Sequence, residues 1–444
     1  MDLAYMATMP VEEFKQRREQ LFTKMPDNSL CILFSEVEQR RNNDCNFPFR
    51  QDSYFWYLTG FNEPNSALVL LKKAQQCQTI IFVRPSDPLK ETWNGRRLGV
   101  HNAPAALQVN LAFSIEQFAQ HFSPLLTDIE KIYHESNLHT WGEQLLQQSK
   151  FDFTQAESWR DWLDEMRLFK SNNEIALMQQ AGQISALAHI RAMQQTRPNR
   201  MEYEIESEML HEFNRFGARY PAYNSIVAGG ENACILHYSE NDMPLKDGDL
   251  VLIDAGCEFA MYAGDITRTF PVNGKFSPAQ KEIYDIVLQA QKRAIELLVP
   301  SNSIQQVNDE VVRIKVEGLV KLGILHGDVN ELIKNNAHRQ FYMHGLGHWL
   351  GLDVHDVGSY SKAHANGDRN SRNRDRPLEV GMVLTVEPGL YISEKSNVPE
   401  RYKGIGVRIE DNLLITEYGN KNLTSAAPKE IEDIERLMAA ANKH

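Results

Sequence analysis

The feature that most limits how this chain can fold is a set of four carboxylates, each placed at the edge of an apolar run. They are Asp254 after VLI, Asp265 on the apparent return strand, Glu387 after VLTV and Glu410 after GVRI. Aspartate is disfavoured inside strands, and a buried carboxylate is costly unless its charge is neutralised. Either aspartate alone could cap a turn or pair with an arginine such as Arg268. If all four carboxylates meet inside the fold, they need cations between them.

The kind of cation follows from the donor atoms. Carboxylate oxygens suit Mn²⁺, Mg²⁺ or Ca²⁺, and an added imidazole moves the preference toward Mn²⁺, Co²⁺, Fe²⁺ or Zn²⁺. Because carboxylates can bridge, four of them and one histidine can hold two ions about 3.5–4 Å apart. The sequence therefore predicts a centre for two divalent ions, provided that a histidine joins the carboxylates.

The stretch MHGLGHWLGLDVHD contains three candidate histidines, His344, His348 and His355. At about 100° per residue, a helix would bring all three within about 40° of one another, as in a zinc site. The glycines of the stretch oppose a helix, since each costs about 1 kcal/mol relative to alanine in a helix interior. We therefore predict a loop whose backbone can approach a ligand closely. Each imidazole, taken alone, could equally be a packed or surface side chain.

Composition and charge exclude several classes of protein. The chain has 444 residues, of which 42% are hydrophobic and 24% charged, as in globular proteins. We find no apolar run long enough to span a membrane and no signal peptide. The net charge of −12 argues against nucleic-acid binding, which needs clustered basic residues. Five scattered cysteines without a CxxC motif predict no disulfide framework, and we expect a reducing, cytoplasmic location.

The first third of the chain alternates β-like runs with helical segments. This pattern predicts an α/β domain with a mixed sheet. Its predicted strands include YFWYLTGF at residues 54–61, and its predicted helices include residues 113–122. The pattern of residue types changes between residues 158 and 170, so we predict an N-terminal domain that covers residues 1–165.

The second predicted domain covers residues 166–444. Ser171 and Glu174 form a capping box for a long helix that extends to about Gln195. Two further sets of strands and helices follow, which predicts an α+β domain with helices on one face of an antiparallel sheet. The polar segment 361–376, rich in asparagine and arginine, predicts an exposed loop.

Five motifs in this order and spacing resemble the pita-bread metallopeptidases. They are LHYSEND, LIDAGCEFAMYAGDITRTF, MHGLGHWLGLDVHD, TVEPGLYI and GIGVRIED. Within that fold, the chain is most similar to the Xaa-Pro aminopeptidase (aminopeptidase P) family, and the resemblance extends to FRQDSYFWYLTGFNEP and ETWNGRRLG near the N-terminus. The resemblance implies an N-terminal domain of the creatinase and prolidase type, which shapes the substrate cleft and the oligomer, followed by a pita-bread catalytic domain.

The resemblance also implies a metal centre and its residues. Its ligands would be Asp254, Asp265, His348, Glu387 and Glu410. The cofactor would be two divalent ions, most often Mn²⁺ in this family, with Co²⁺ able to substitute. A hydroxide shared by the two ions would attack the peptide carbonyl, since two ions lower the pKa of a shared water.

Other residues match functional positions of the family. Glu387 matches its acid/base carboxylate. Arg408 is expected to orient a bridging carboxylate, and Tyr391 is expected to orient Asp254. The resemblance further implies substrate-binding roles for His237, His355, His344, Arg374 and Trp93. His237 and His355 would stabilise the reacting centre, His344 would line the pocket beyond it, and Trp93 would reach the active site of a neighbouring subunit.

Three functions remain compatible with these motifs. The leading hypothesis is an aminopeptidase that cleaves peptides with proline in the second position, in a homo-oligomer of four or two subunits. An Xaa-Pro dipeptidase shares all five ligands. A non-catalytic peptide-binding module on the same fold is the third hypothesis.

Overall fold

The structure is a computed structural model, and it describes residues 7–149, 155–365 and 373–441. The described chain falls into two compact units, with Met9–Arg167 as the N-terminal unit and the residues from Leu168 onward as the C-terminal unit. Within the described ranges, no helix combines the length and the apolar composition that crossing a bilayer requires.

The N-terminal unit is built around one mixed sheet. Its helices are α1 Val11–Lys24, α2 Ser53–Thr59, α3 Pro88–Asn94, α4 Gly99–Leu107, α5 Phe118–Phe122, α6 Thr140–Gln148 and α7 Arg160–Leu168. Its strands are β1 Ser29–Phe34, β2 Arg40–Asn42, β3 Cys45–Asn46, β4 Ala67–Lys73, β5 Gln76–Val83, β6 Leu111–Ser114 and β7 Lys131–Tyr133. The sheet runs β6-β5-β4-β1-β7, with antiparallel pairs in the middle and a parallel pair at each edge. This sheet confirms the predicted α/β class.

Two local predictions in this unit are wrong. The run 54–61 is a helix and not a strand: Asp52 accepts a hydrogen bond from the Phe55 N–H at its start, and Gly60 ends it in the left-handed region. These caps, and burial on every side, override the β propensity of its aromatic residues. The predicted helix 113–122 begins as strand β6 and becomes α-helical only at Phe118.

The C-terminal unit combines helices with antiparallel strand pairs, which confirms the predicted α+β class. Its helices are α8 Asn172–Gln195, α9 Glu202–Arg215, α10 Pro278–Leu297, α11 Ile304–Lys321, α12 Val329–Lys334, α13 Lys362–Ala365 and α14 Ile431–Ala441. Its strands are β8 Tyr220–Pro221, β9 Ile226–Gly229, β10 Leu250–Asp254, β11 Cys257–Phe259, β12 Tyr262–Ala263, β13 Thr267–Pro271, β14 Val383–Val386, β15 Gly389–Ile392, β16 Ile405–Arg408, β17 Asp411–Thr416 and β18 Gly419–Asn422. The strands pair as β13-β10-β9, β12-β11-β8, β14-β17-β18 and β15-β16.

Helix α8 starts where the sequence predicts. The Ser171 side chain accepts from the Glu174 N–H, and the Glu174 side chain accepts from the Ser171 N–H, so the predicted capping box is confirmed. The helix ends at Gln195, also as predicted. Of the polar loop 361–376, residues 366–372 lie outside the described residues. At its start the prediction of an exposed loop is wrong, because Ser361 is buried and Lys362–Ala365 form helix α13.

The histidine-rich stretch is not helical, as its glycines predict. Leu346 and Trp349 are buried in a core cluster with residues of α10, α11, β14 and β17. The His348 N–H donates to Thr385 Oγ1 over 3.0 Å, and the Thr385 N–H donates to the His348 carbonyl over 2.9 Å. A Cβ on Gly347 would lie 2.1 Å from the Thr385 carbonyl oxygen, so only glycine permits this docking. The stretch therefore presents His348 from a fixed backbone.

Candidate metal centre and active site

The four carboxylates line one cavity of about 540 Å³ in the C-terminal unit. Ligand atoms of Asp265, His348 and Glu410 all lie within 4.8 Å of one another, and these three residues are buried. Asp254 and Glu387 complete the set on the same cavity wall. The structure thus brings together the five residues that the sequence proposes as metal ligands.

Backbone pairing sets the positions of the carboxylates. Asp254, the last residue of β10, pairs with Thr267 of β13, and Asp265 lies just before that strand. The Glu410 N–H donates to the Thr267 carbonyl over 3.0 Å. The Glu387 N–H, just after β14, donates to the Leu346 carbonyl over 2.8 Å. Each carboxylate therefore belongs to a backbone segment held by its neighbour.

Thr267 and Arg408 orient two of the carboxylates. Thr267 Oγ1 donates to Glu410 Oε2 over 2.6 Å and accepts from Arg408 Nε over 3.1 Å. Arg408 Nη2 donates to Asp254 Oδ2 over 2.7 Å. Arg408 is expected to orient a bridging carboxylate, but the aspartate it contacts directly is Asp254, and it reaches Glu410 through Thr267.

Arg268 does not neutralise either metal-site aspartate. Its guanidinium pairs with Asp411 Oδ1 at 2.7 Å, with both side chains fully buried. Its remaining hydrogen bonds go to backbone carbonyls, including those of Thr267 and Glu410. Arg268 therefore holds backbone segments together behind the site. The alternative that it pairs with Asp254 or Asp265 is wrong.

Tyr223 joins the two aspartates. Its hydroxyl oxygen lies 2.6 Å from Asp254 Oδ1 and 2.6 Å from Asp265 Oδ1. A hydroxyl has one proton, so it can donate to only one of these carboxylates at a time. We expected Tyr391 to orient Asp254, but Tyr391 reaches Asp254 only through Arg408, and Tyr223 makes the direct contact.

His348 has the geometry of a metal ligand. Its Nδ1 lies 3.0 Å from the Trp349 carbonyl oxygen, which can only accept, so Nδ1 carries the proton. Its Nε2 then presents a lone pair, 3.5 Å from Asp265 Oδ2 and 3.5 Å from Glu387 Oε1. A lone pair directed at two carboxylates is repulsive without a cation between them. This donor set fits divalent metal ions.

The proton affinities of the carboxylates lead to the same conclusion. Burial, followed by the charge of Asp254, raises the pKa of Asp265 well above its usual range. Burial, followed by the charge of Asp265, does the same to the pKa of Glu410. Burial and Glu410 raise the pKa of Glu387 to about 8. Burial and mutual repulsion therefore disfavour the ionised forms of these carboxylates, and cations between them would offset both effects.

Tyr391 fixes His344 at the cavity wall. His344 Nδ1 lies 2.8 Å from the Gly345 carbonyl, and its Nε2 lies 2.7 Å from the Tyr391 hydroxyl. Tyr391 accepts in turn from Arg408 Nη1 over 3.0 Å. Burial and the positive charge of Arg408 lower the pKa of His344 to about 3, so it is neutral. A neutral imidazole with both nitrogens engaged lines the cavity without adding charge.

The remaining predicted residues of this unit lie on the same cavity. His237, His355 and Arg374 line it. The His355 ring stacks on His348, and burial and His348 lower the pKa of His355 to about 4. Arg374 donates to the Gly347 carbonyl and lies 4.5 Å from the Tyr360 ring centroid. Trp93 lies in α3 of the N-terminal unit, 81% exposed.

Several supporting residues were missed from the sequence. Thr267 could have been predicted from its position two residues after Asp265, because residues two apart in extended backbone share a face. Thr385, which contacts Glu387 Oε1 at 3.3 Å, precedes that glutamate by the same interval. Tyr223 lies in PAYNSIV, far from the other motifs, and no local pattern marks it.

Comparisons with known families cover most of the chain. Residues 176–417 match the family described as Metallopeptidase family M24, and residues 14–133 match Aminopeptidase P, N-terminal domain. An Xaa-Pro aminopeptidase of Haemophilus influenzae is 68% identical over 99% of this chain and its own full length. One from Escherichia coli is 51% identical, again over 99% and 100% of the two chains. Human Xaa-Pro aminopeptidase 3 is 34% identical over 93% of this chain and 81% of its own.

Solved structures agree over the same span. Zinc-substituted E. coli aminopeptidase P in complex with product superposes with a TM-score of 0.94, at 50% identity over 99% of this chain and all of the other. Proline aminopeptidase P II of Yersinia pestis gives a TM-score of 0.93, at 51% identity over 97% and 100%.

Proposed function

The chain belongs to metallopeptidase family M24, and from that premise we propose that it hydrolyses the N-terminal Xaa-Pro bond of peptides. One observation carries the proposal: four carboxylates and the His348 lone pair converge on one cavity, in a chain aligned end to end with Xaa-Pro aminopeptidases. The N-terminal match to the aminopeptidase P domain supports this function over other M24 activities.

The proposed cofactor is a pair of divalent ions. Asp254, Asp265, His348, Glu387 and Glu410 would hold them, with Mn²⁺ as the expected metal and Co²⁺ as a substitute. When bound, the ions supply a water of lowered pKa and polarise the scissile carbonyl. The protein's own part is to hold five ligands in register, which Arg408, Thr267 and Tyr223 do by the hydrogen bonds described above.

Glu387 is the proposed proton carrier. Its carboxylate lies at the cavity wall, 3.7 Å from His344 Nδ1 and 3.5 Å from His348 Nε2. It would take the proton of the attacking water and deliver it to the leaving nitrogen of proline, which has no proton of its own as an amide.

The histidines of the cavity would handle the substrate. His237 and His355 are exposed on its wall and would donate hydrogen bonds to the carbonyl as charge develops on it. His344 would border the pocket beyond the scissile bond. Arg374 would contact the peptide or gate its entry, from a position against Gly347.

Proline specificity has a physical rationale in this cavity. An Xaa-Pro bond is a tertiary amide without an N–H, so an enzyme cannot hold it by that donor. The apolar side chains of Ile226, Leu236 and Val354 line the cavity beside the histidines. Such a wall can bury a pyrrolidine ring while the polar groups contact the carbonyl.

A pair of substrates tests the function. With Mn²⁺ added, we expect the purified protein to release alanine from Ala-Pro-Ala and to leave Ala-Ala-Ala intact. Turnover of Gly-Pro alone would indicate an Xaa-Pro dipeptidase. No turnover of either, together with fewer than one bound ion per chain, would indicate a non-catalytic peptide-binding module. His348→Ala is the control for a contaminating peptidase.

Assembly and location complete the proposal. Trp93 is a large apolar side chain with 81% of its surface exposed, which supports a role at a subunit contact in a homotetramer or homodimer. If Trp93 lies at a subunit contact, Trp93→Ala should lower the mass measured by light scattering. All five cysteines are free thiols, which supports a reducing cytoplasmic location that cell fractionation can check.

A further inference from the structure

A second cavity adjoins the candidate active site. It has a volume of about 300 Å³ and shares His344, Gly345 and Arg374 with the first. Its far wall is formed by the start of helix α11, where Gln305 and Asn308 face it. A third cavity of about 610 Å³ continues from there along the same helix. A peptide that extends past the scissile bond therefore has space to continue between α11 and residues 338–346.

Three basic side chains at or behind the second cavity have no acceptor among the described residues. Lys315 is fully buried, and its Nζ makes no hydrogen bond but lies 2.6 Å from the centroid of the Tyr342 ring. His338 lines the cavity and is 8% exposed, and its Nδ1 has no partner. Arg339 lines it too, and no ion pair or side-chain hydrogen bond links its guanidinium to the described part of the chain.

These groups lie close enough to affect one another. Burial, followed by the charges of Lys315 and Arg339, lowers the pKa of His338. Burial alone lowers the pKa of Lys315 well below its usual range. The nearby carboxylates are already engaged, since Asp309 accepts from Gln305 over 2.9 Å and Glu310 pairs with Arg293 at 3.6 Å. Burial favours the neutral forms of His338 and Lys315, so the guanidinium of Arg339 is the fixed positive charge of this cluster.

A buried polar atom without a partner is costly, and a ligand carboxylate could accept a hydrogen bond from His338 and pair with the exposed guanidinium of Arg339. We propose that the second cavity binds a carboxylate of the peptide downstream of the scissile bond, with Arg339 and His338 contacting it. The inference rests on the proposed function for its peptide. The carboxylate is either the C-terminus of a short peptide or the side chain of a downstream Asp or Glu.

Matched peptides distinguish the two sources. Peptides of the form Ala-Pro-(Ala)n, three to six residues long, are compared as free acids and as C-terminal amides. Amidated hexapeptides with Glu or Gln at position 3, 4 or 5 form the second set. At one length or position, we expect the metal-loaded enzyme to show a KM lower by about tenfold or more for the charged form. Preference in the first set indicates the C-terminus, and preference in the second indicates a side chain.

Variants then assign the preference to the cluster. Arg339→Gln and His338→Phe should each remove most of the difference between charged and neutral peptides. Arg436→Gln is the matched control: Arg436 is 76% exposed on α14, pairs with Asp433 and lies outside the three cavities, so its loss should keep the preference. Circular dichroism checks that His338→Phe is folded, and Arg339→Gln gives the same test at an exposed position.

Several results would overturn the subsite. One is the absence of any carboxylate preference in the wild type, and another is a preference that survives both cluster variants. If the wild type cleaves no peptide at all, the proposed function fails separately. The subsite is then tested by calorimetric binding of the same acid and amide pairs, where equal affinity would contradict it and tighter binding of the acid would support it.

Discussion

His348 and His355 stack face to face, with ring centroids 3.7 Å apart and planes inclined by 13°. The two rings share a surface, but their surroundings differ. His348 is 5% exposed and presents Nε2 to the carboxylates, whereas His355 lies at the open side of the cavity. The stacked pair therefore separates a proposed metal ligand from a residue proposed to face the substrate.

Alanine variants at these positions should have different effects. His348→Ala should lose bound metal and activity together, because it removes a ligand. His355→Ala should keep its metal and lose activity by roughly 100-fold or more, as expected for a group that stabilises developing charge. Elemental analysis of each purified protein, beside initial rates on Ala-Pro-Ala, measures both effects. Loss of metal from both variants, or from neither, would contradict this division.

Thr267→Val should weaken the metal centre without removing a ligand. The variant loses the hydrogen bonds to Glu410 and Arg408, so we expect metal affinity or activity to fall by roughly 10- to 100-fold. Thr269→Val is the matched control, because Thr269 bonds only to the Arg408 backbone. Titration of the metal-free proteins with Mn²⁺ gives both affinities. Equal affinities for the two variants would show that Thr267 does not position the site.

The pKa of Glu387 predicts how stability depends on pH in the metal-free protein. Burial raises this pKa to about 8 in the folded state, above its ordinary value of about 4.3. The folded state then binds more protons between these values, so stability should fall as the pH rises from about 5 to 8. Saturating Mn²⁺ should reverse the loss, because the ions replace the protons. Melting curves at each pH measure how stability depends on pH. Glu387→Gln should show a shallower dependence than the wild type. A metal-free protein that becomes more stable across that range would contradict the prediction.

The buried pair of Arg268 and Asp411 predicts a stability defect of a different kind. Burial opposes the charge on Asp411, but Arg268 and Lys429 outweigh it and hold the pKa of Asp411 below its ordinary value. Its contribution to stability is present above the unfolded pKa of about 4 and is lost as the pH falls toward the folded pKa.

At pH 7, Asp411→Ala leaves Arg268 buried without its partner and should lower Tm by roughly 10 °C. Calorimetry of the metal-free protein tests this, with Asp433→Ala, an exposed helix residue, as the control. A Tm close to that of the wild type would contradict the prediction.

The sequence points to the proposed ligands because they lie where local structural preferences disfavour their residue types. Carboxylates at the ends of apolar strands and glycines around His348 both violate local preference, and both mark the site. Tyr223 is not predictable in the same way, since a tyrosine in a loop violates nothing. The helix at residues 54–61 shows the converse, because its aromatic residues favour a strand while Asp52 and Gly60 set its ends.

The orientation of side chains also depends on contacts that sequence separation conceals. Tyr391 follows Glu387 closely in the chain and was expected to orient Asp254. In the fold, Tyr391 holds His344, and Arg408 takes the position beside Asp254. Which of several polar residues reaches a given carboxylate is decided by strand register, and the pattern of residue types does not reveal it.

Because Asp254 pairs with Thr267 and Thr267 pairs with Glu410, this part of the site can assemble only after all three residues have been synthesised. The ligands enter the chain from residue 254 to residue 410, so a nascent polypeptide that ends before residue 387 lacks two of them. If these residues hold the metal as proposed, its loading is a late event that requires the chain through Glu410. Fragments truncated by premature termination or proteolysis would be unable to assemble the complete centre, and metal content could serve as a measure of full-length, correctly paired protein.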